Sequence, residues 1–374
     1  MTDWRIAVLP GDGIGPEVTA EAIAVLDAVA RHFGWRITNQ TWPIGAQAAL
    51  DHGEPFPRVT RDAVTDADAV FLGAVGDPVI ERQLGGIRPE AGLLALRVEL
   101  GGFANLRPVA VHPALTGSSP LRSEVLAGTD LLIVRELTGG LYYGEPRGRD
   151  AEQAVNTLRY SAREIERVAR IAFDAARKRK RLVTSVDKAN VLEVSQLWRE
   201  VVNRVARDYS DVRVEHLYVD HAAMRLVAEP SSLDVVLTEN LFGDILSDEA
   251  AVLVGSLGLL PSASIGGRTG LFEPVHGSAP ALAGRGIANP VGAILSVAML
   301  LRYGLRQAEA ADMVERAVAS ALSLGVRTAD IAAGLPAVST KIMGEVIREL
   351  LGQHATATAR SNDALGRFLT QSAS

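Results

Sequence analysis

The sequence predicts an α/β protein built from two domains. Short apolar runs alternate with 3.6-residue helical periods, and the runs end in glycine clusters, as strands feeding crossover helices do. The 374-residue length exceeds one ordinary domain at roughly 150 residues each. The texture also changes in the middle of the chain and returns to strand, turn and helix alternation in the last third.

Residues 5–9 read as the first strand, closed by Pro10-Gly11-Asp12-Gly13-Ile14-Gly15. A helix follows, with Val18, Ala22, Val25, Leu26 and Val29 on one face. Strands are expected at 35–42 and 69–72, the latter ending in Gly73-Ala74-Val75-Gly76. In the middle, 131–134 is a buried strand running into Arg135-Glu136-Leu137. Residues 161–179 form an amphipathic helix, whose basic end (177–181) complements the helix dipole rather than marking a nucleic-acid patch. Strands at 182–186, 212–219 and 234–237 and helices at 196–208 and 241–253 follow, with Asp220 expected at a strand end. Residues 299–324 read as mostly helical, and a last helix runs from Gly344 to about Leu351. The tail from residue 353 loses periodicity and reads as a loosely ordered end.

Composition excludes several classes. Lys plus Arg number 38 and Asp plus Glu 44, a net charge of −6, which argues against a nucleic-acid or anionic-membrane binder. There is no cysteine, so disulfides, thiolate metal sites and cysteine nucleophiles are out, and a reducing cytoplasm fits. The uncharged stretches 250–267 and 286–301 are broken by glycine and proline. They fall short of the roughly 20 apolar residues of a membrane span and read as buried core helices.

Asp244 and Asp248 stand four apart on a helix, so their carboxylates share a face and repel unless a positive charge sits near. With Asp220 they form a set suited to Mg2+ or Mn2+, although the spacing also suits ordinary surface acids. Arg97, Arg107 and Arg135 each stand beside apolar residues; they either grip substrate carboxylates or pair with structural acids. Lys188 after a strand is a candidate general base, and Tyr142 in a glycine-rich turn a candidate proton donor. His276-Gly277-Ser278-Ala279-Pro280 and Ile287-Ala288-Asn289-Pro290 precede a helix and resemble a phosphate cradle. No Gly-x-Gly-x-x-Gly occurs, so no Rossmann dinucleotide site is claimed.

Together these segments resemble the metal-dependent β-decarboxylating dehydrogenases. The carrying motifs are GDGIGPEV at 11–18, LLALR at 93–97, FANLRP at 103–108 and RELTGGLYYGEPRG at 135–148. VDKANVLE at 186–193, YVDHAAMRL at 218–226, TENLFGDILSDEA at 238–250 and HGSAP at 276–280 with IANP at 287–290 complete the set. The resemblance implies a first, cofactor-binding domain of 1–102 plus 255–352, a second of 103–254, and a cleft between them. It implies a homodimer with shared active sites, in which Lys188, Asn190 and Asp220 come from the partner subunit. Lys188 and Tyr142 would be catalytic. Arg97, Arg107, Arg135, Asp220 and Glu90 would meet the substrate, and Asp220, Asp244 and Asp248 the metal. His276, Gly277, Ser278, Ala279, Pro280, Asn289, Glu273 and Asn190 would bind NAD.

Leu93 and Leu94 would offer an apolar wall to an isopropyl group, and burying them against a third carboxylate would be costly. That favours 3-isopropylmalate, an intermediate of leucine biosynthesis, over isocitrate, homoisocitrate or tartrate. Ala281 departs from the family, where NAD-using members carry an acid; NAD is still expected, with reduced discrimination against NADP. The run Gly76-Asp77-Pro78-Val79-Ile80 also departs from the usual pattern. A non-catalytic homologue would lack the lysine, tyrosine or an aspartate, and all are present. A metal-dependent hydrolase built on the aspartates would turn over without nicotinamide.

Overall fold

The computed structural model describes residues 3–352, so the expected loose tail (353–374) lies outside the described residues. The described residues divide into two compact units: 3–100 with 255–263 and 268–352, and 101–254 with 264–267.

In the first unit the strands run in the order Arg36–Thr41, Asp3–Gly11, Ala69–Ala74, Gly270–Pro274, then Pro261–Ile265 as far as Ala263. Asp3–Gly11 pairs in parallel with both its neighbours, and Gly270–Pro274 pairs in parallel with Ala69–Ala74. Every residue of Ala69–Ala74 is buried, as expected for a parallel strand covered on both faces. The helix Gly15–Phe33 carries Pro16 in its first turn and ends on Gly34 in the left-handed conformation. Leu9, Phe56, Leu72, Leu96 and Leu271 pack in one buried cluster of this unit.

Three glycine turns meet at the end of the first strand. Ile14 N–H donates to the Ser278 carbonyl at 2.7 Å and Asp12 N–H to the Ala74 carbonyl at 2.8 Å. The buried Asp12 carboxylate accepts from Ala46 N, Gln47 N and Gly76 N. Gly13 has φ +59°, and a Cβ there would lie 2.0 Å from the Ser278 carbonyl oxygen. Only glycine allows both the conformation and the approach.

In the second unit the order is Ala104–Ala110, Asp130–Glu136, Val235–Thr238, Leu182–Asp187, Arg213–Tyr218. The first pair is antiparallel and the others parallel. The helix Ala162–Arg177 starts in a capping box of Ser161 and Glu164, and buries Ile165, Val168, Ala172 and Phe173.

Several expectations need correction. Asp220 is not at a strand end: the strand stops at Tyr218 and Asp220 lies in the first turn of the helix Val219–Ala228. The stretch 250–267 is not one core helix, because Gly255 (φ +91°) ends the helix and Pro261–Ile265 is a strand. The mostly helical reading of 299–324 holds, with a break in which a π turn at Leu300–Gly304 and a left-handed Arg306 part the helices Val291–Met299 and Ala308–Ser323. The last helix starts at Thr340, capped by Ser339, not at Gly344. Among the described residues no helix is long and apolar enough to cross a membrane.

Gly13→Ala combines left-handed strain with backbone overlap, and we expect it to lower stability by more than about 2 kcal/mol in urea unfolding. Gly34→Ala, at φ +67° with open space around it, should cost only about 1 kcal/mol.

Candidate active site

The site of the second unit grows from its antiparallel strand pair. Asn105 pairs with Arg135, and Arg107 lies two residues beyond Asn105, so all three side chains leave the same face. The helix Asn240–Val254 lies over that face and presents Asn240, Asp244, Ser247 and Asp248 at helical spacing. Glu239 starts the helix by accepting from Leu241 N and Phe242 N at 3.2 and 3.1 Å. Gly243 leaves room for an arginine, since a Cβ there would lie 2.7 Å from the Arg135 Cγ.

Arg135 is 1% and Arg107 7% exposed at the side chain. The Arg135 guanidinium bonds Asp244 through Nη1 and Asn240 through Nε and Nη2. Arg107 donates to Asn105 Oδ1 at 2.7 Å and to Ser247 Oγ at 2.5 Å. It lies 3.6 Å from Asp244 and 3.9 Å from Asp248. The repulsion between the two aspartates is thus already offset by two buried arginines. Partial burial, then the Asp244 charge, push the Asp248 carboxyl up, while Arg107 pulls it down. Asp248 is 65% exposed, and two carboxylates on one face, one of them reaching solvent, fit a hard divalent cation. Among the described residues no group of three metal-binding side chains gathers within this chain.

Tyr142 sits on the short turn Gly140–Tyr142. Its hydroxyl donates to Asp244 Oδ2 at 2.7 Å, and the Arg135 guanidinium lies 5.7 Å from its ring centroid. Burial, then the hydrogen bond to Asp244 and its charge, push the phenol up to about 12. The side chain therefore holds its proton at neutral pH, as a donor must.

Lys188 follows the strand Leu182–Asp187 and bonds Asp220 of the same chain. That contact holds the Asp220 carboxyl below the usual carboxylate range. Asn190 is exposed close by in sequence. The predicted metal set is therefore divided, with Asp220 on Lys188 and Asp244 and Asp248 on the arginines.

The remaining candidates belong to the first unit. Arg97 donates to Glu273 at 2.9 Å, and both are nine-tenths buried. Glu90 opens the helix Glu90–Leu100, on which Leu93 and Leu94 are half-buried. A Cβ at Gly76 would meet Glu90 Oε1 at 3.0 Å and Ser278 Oγ at 3.8 Å, so Gly76, Glu90 and Ser278 are neighbours. The departing run at 76–80 has a local logic: Asp77 accepts from Val79 N and Ile80 N and caps the helix Pro78–Glu81.

His276 is buried, and its Nε2 has no partner among the described residues. Burial pushes its imidazole down, toward the neutral form. Gly277 leaves open space where a Cβ would stand, and Ala279 is left-handed at φ +38°. Asn289 donates to Asp330 and accepts from Val291 N. Pro280 and Ala281 lie on a short turn, where Ala281 is exposed. An orphaned buried nitrogen beside a glycine with open space around it fits a ligand rich in hydrogen-bonding groups, such as a dinucleotide.

Sequence reasoning missed Asn105, Glu136, Tyr160, Asn240, Gly243 and Ser247. Each acts through a contact with another element, such as Tyr160 with Glu136 at 3.0 Å, and no spacing rule exposes such a contact. The phrase Asn240-Leu241-Phe242-Gly243-Asp244 was the one available signal, since 240, 243 and 244 share a helix face.

Buried arginines stand beside paired carboxylates, with a protonated tyrosine on one of them, an arrangement that suits an anionic substrate. A sequence profile described as isocitrate/isopropylmalate dehydrogenase matches residues 5–347. A 3-isopropylmalate dehydrogenase of Salinibacter ruber is 59% identical over 89% of this chain and 92% of its own length. One from Methylococcus capsulatus is 54% identical over 92% and 97%. Among solved structures, an isocitrate dehydrogenase from Methylococcus capsulatus superposes with a TM-score of 0.84 at 36% identity, covering 94% of this chain and all of its own. A β-decarboxylating dehydrogenase from Thermococcus kodakarensis gives 0.77 at 37%, covering 93% and 96%. The chain belongs to the isocitrate/isopropylmalate dehydrogenase family.

Folding raises the Tyr142 phenol above its ordinary 10.0. Its contribution to stability is therefore full below the unfolded tyrosine's range and lost as pH rises through about 12. Ultraviolet titration of the metal-free protein, minus that of Tyr142→Phe, should show a phenol still protonated at pH 10. A difference titrating at the ordinary value would refute the contact with Asp244.

Proposed function

We propose that the protein oxidatively decarboxylates (2R,3S)-3-isopropylmalate to 4-methyl-2-oxopentanoate and CO2, with NAD as hydride acceptor, as the cytoplasmic dehydrogenase step of leucine biosynthesis. The observation that carries the reading is the Asp244 carboxylate, bonded at once to buried Arg135 and to protonated Tyr142 with Asp248 one turn on. The curated relatives named 3-isopropylmalate dehydrogenase support the substrate, as do Leu93 and Leu94.

Arg107, Arg135 and Arg97 hold the two malate carboxylates, while Leu93 and Leu94 exclude water from the isopropyl group. Lys188 takes the hydroxyl proton when C2 is oxidised. When bound by Asp244, Asp248 and Asp220, Mg2+ or Mn2+ supplies Lewis-acid polarisation of the substrate oxygen. As the β-carboxylate leaves as CO2, Tyr142 gives its proton to the carbon left behind, and the high proton affinity of the phenol keeps it loaded beforehand. His276, the loop Gly277-Ser278-Ala279-Pro280, Asn289, Glu273 and Asn190 hold NAD, which supplies the hydride-accepting nicotinamide.

The site is shared in a homodimer. On the helix Val219–Ala228, Asp220 shares one face with Met224 (69% exposed) and Val227 (45%), at positions i, i+4 and i+7. On the helix Asn240–Val254, Asp248 shares one face with Ile245 (57%) and Val252 (45%). Apolar side chains flanking two divided halves of a metal set suit a second copy bringing Asp220 to Asp244 and Asp248.

Reduced-nicotinamide absorbance with Mg2+ and 3-isopropylmalate, run with NAD and NADP in parallel, should show NAD turnover, with Ala281 leaving appreciable NADP turnover. Turnover only with another malate derivative would overturn the isopropyl assignment. Lys188→Ala and Asp248→Asn should each be inactive. Refolded together, they should recover roughly a quarter of wild-type activity, since half the dimers are mixed and each has one intact site. No recovery would refute the shared site.

A further inference from the structure

We propose that Asn240 is a positioning residue which couples substrate-carboxylate binding to proton delivery, by fixing Arg135 and the Tyr142 loop on one frame. The inference rests on the functional reading above. Asn240 is fully buried, and its side-chain amide has two donor hydrogens and two acceptor lone pairs. All four are used. Oδ1 accepts from Arg135 Nε at 3.0 Å and Nη2 at 2.7 Å. Nδ2 donates to the Leu137 carbonyl at 3.1 Å and the Gly139 carbonyl at 3.0 Å. No capacity is left for substrate, so Asn240 acts through its partners.

Those partners serve two different parts of the proposed chemistry. Two of the guanidinium nitrogens are tied to Asn240, which leaves Nη1 directed at Asp244. The two carbonyls belong to the segment that leads into the turn Gly140–Tyr142. The same segment is held from its N–H side by buried Glu136, which accepts from Gly139 N at 2.8 Å and Thr138 N at 3.1 Å. The Glu136 carboxylate also accepts from Tyr160, whose hydroxyl in turn accepts from the Asn240 backbone N–H at 3.0 Å. The helix carrying Asp244, the guanidinium and the tyrosine loop therefore share one rigid joint. Gly243 completes it by leaving space for the arginine stem.

Two variants separate the halves of the joint. Asn240→Asp keeps both acceptors for Arg135 but replaces the donors to Leu137 and Gly139 with a repelling oxygen. Asn240→Ala loses both halves. In the alanine variant KM for 3-isopropylmalate should rise about 10- to 100-fold, the scale of losing hydrogen bonds to a charged group. In the aspartate variant KM should stay within about threefold while kcat falls about 10-fold or more, one hydrogen-bond equivalent in the barrier. Thermal unfolding measured alongside corrects for folded fraction, and the aspartate variant carries the test if alanine does not fold. A merely structural residue would change the folded fraction and leave KM and kcat per folded molecule alone; that result, or equal loss of both in both variants, overturns the proposal. The Arg135 Nε–H resonance gives a reading without turnover: protected from exchange in wild type and Asn240→Asp, fast in Asn240→Ala. If wild type is inactive on 3-isopropylmalate but the resonance behaves so, the functional reading has failed and the joint stands. If exchange is unchanged in the alanine variant, the joint has failed.

Discussion

Arg135 is a permanent positive charge with 1% of its side chain exposed. Removing such a group from water costs several kcal/mol unless its hydrogens and its charge are both satisfied. The second unit is arranged around that demand. Asn240 accepts from two of the guanidinium nitrogens and Asp244 from the third, and the acid provides the counter-charge. Because Asp244 and Asn240 are four residues apart, one helix face answers both needs, and its start is set by Glu239 capping the first turn. Any carboxylate that binds at these arginines meets groups already stripped of water, which strengthens the attraction.

The same constraint gives Asp244 its central place. One oxygen faces Arg135 and Arg107, and the other accepts the Tyr142 hydroxyl. A carboxylate that faces two cations also adds to burial in keeping a phenol protonated, because ionising Tyr142 would set a second negative charge against the first. Charge balance and proton loading are thus one arrangement. Asp248, one turn on and largely exposed, lies at the edge of this buried pattern, 3.9 Å from Arg107.

The first unit solves another problem, bringing main chain close to main chain. Its three glycine turns touch through carbonyls, with Gly11 and Gly13 where a Cβ would lie within about 2 Å of a backbone oxygen. The loop from His276 to Pro280 is thereby seated against the first helix rather than hanging free. Arg97 and Glu273 satisfy each other in the same unit, so the third arginine is pre-oriented by an acid, as are the other two.

Periodicity and turn chemistry determined much of this protein. The strands at 5–9, 69–72, 131–134 and 182–186 and the helices at 161–179 and 241–253 are close to the observed elements, because burial on one face leaves a repeat that sequence spacing displays. The candidate residues were legible as chemical types at telling intervals. Tertiary structure alone decided their partners. Asp220 stands on a helix rather than a strand end and bonds Lys188, and Asn240, Glu136 and Tyr160 join the helix, the arginine and the tyrosine loop through bonds that spacing does not show. The physical reason is that a buried polar group is selected for what it can bond across the fold, and a hydrogen bond between residues a hundred positions apart leaves no periodic trace along the chain.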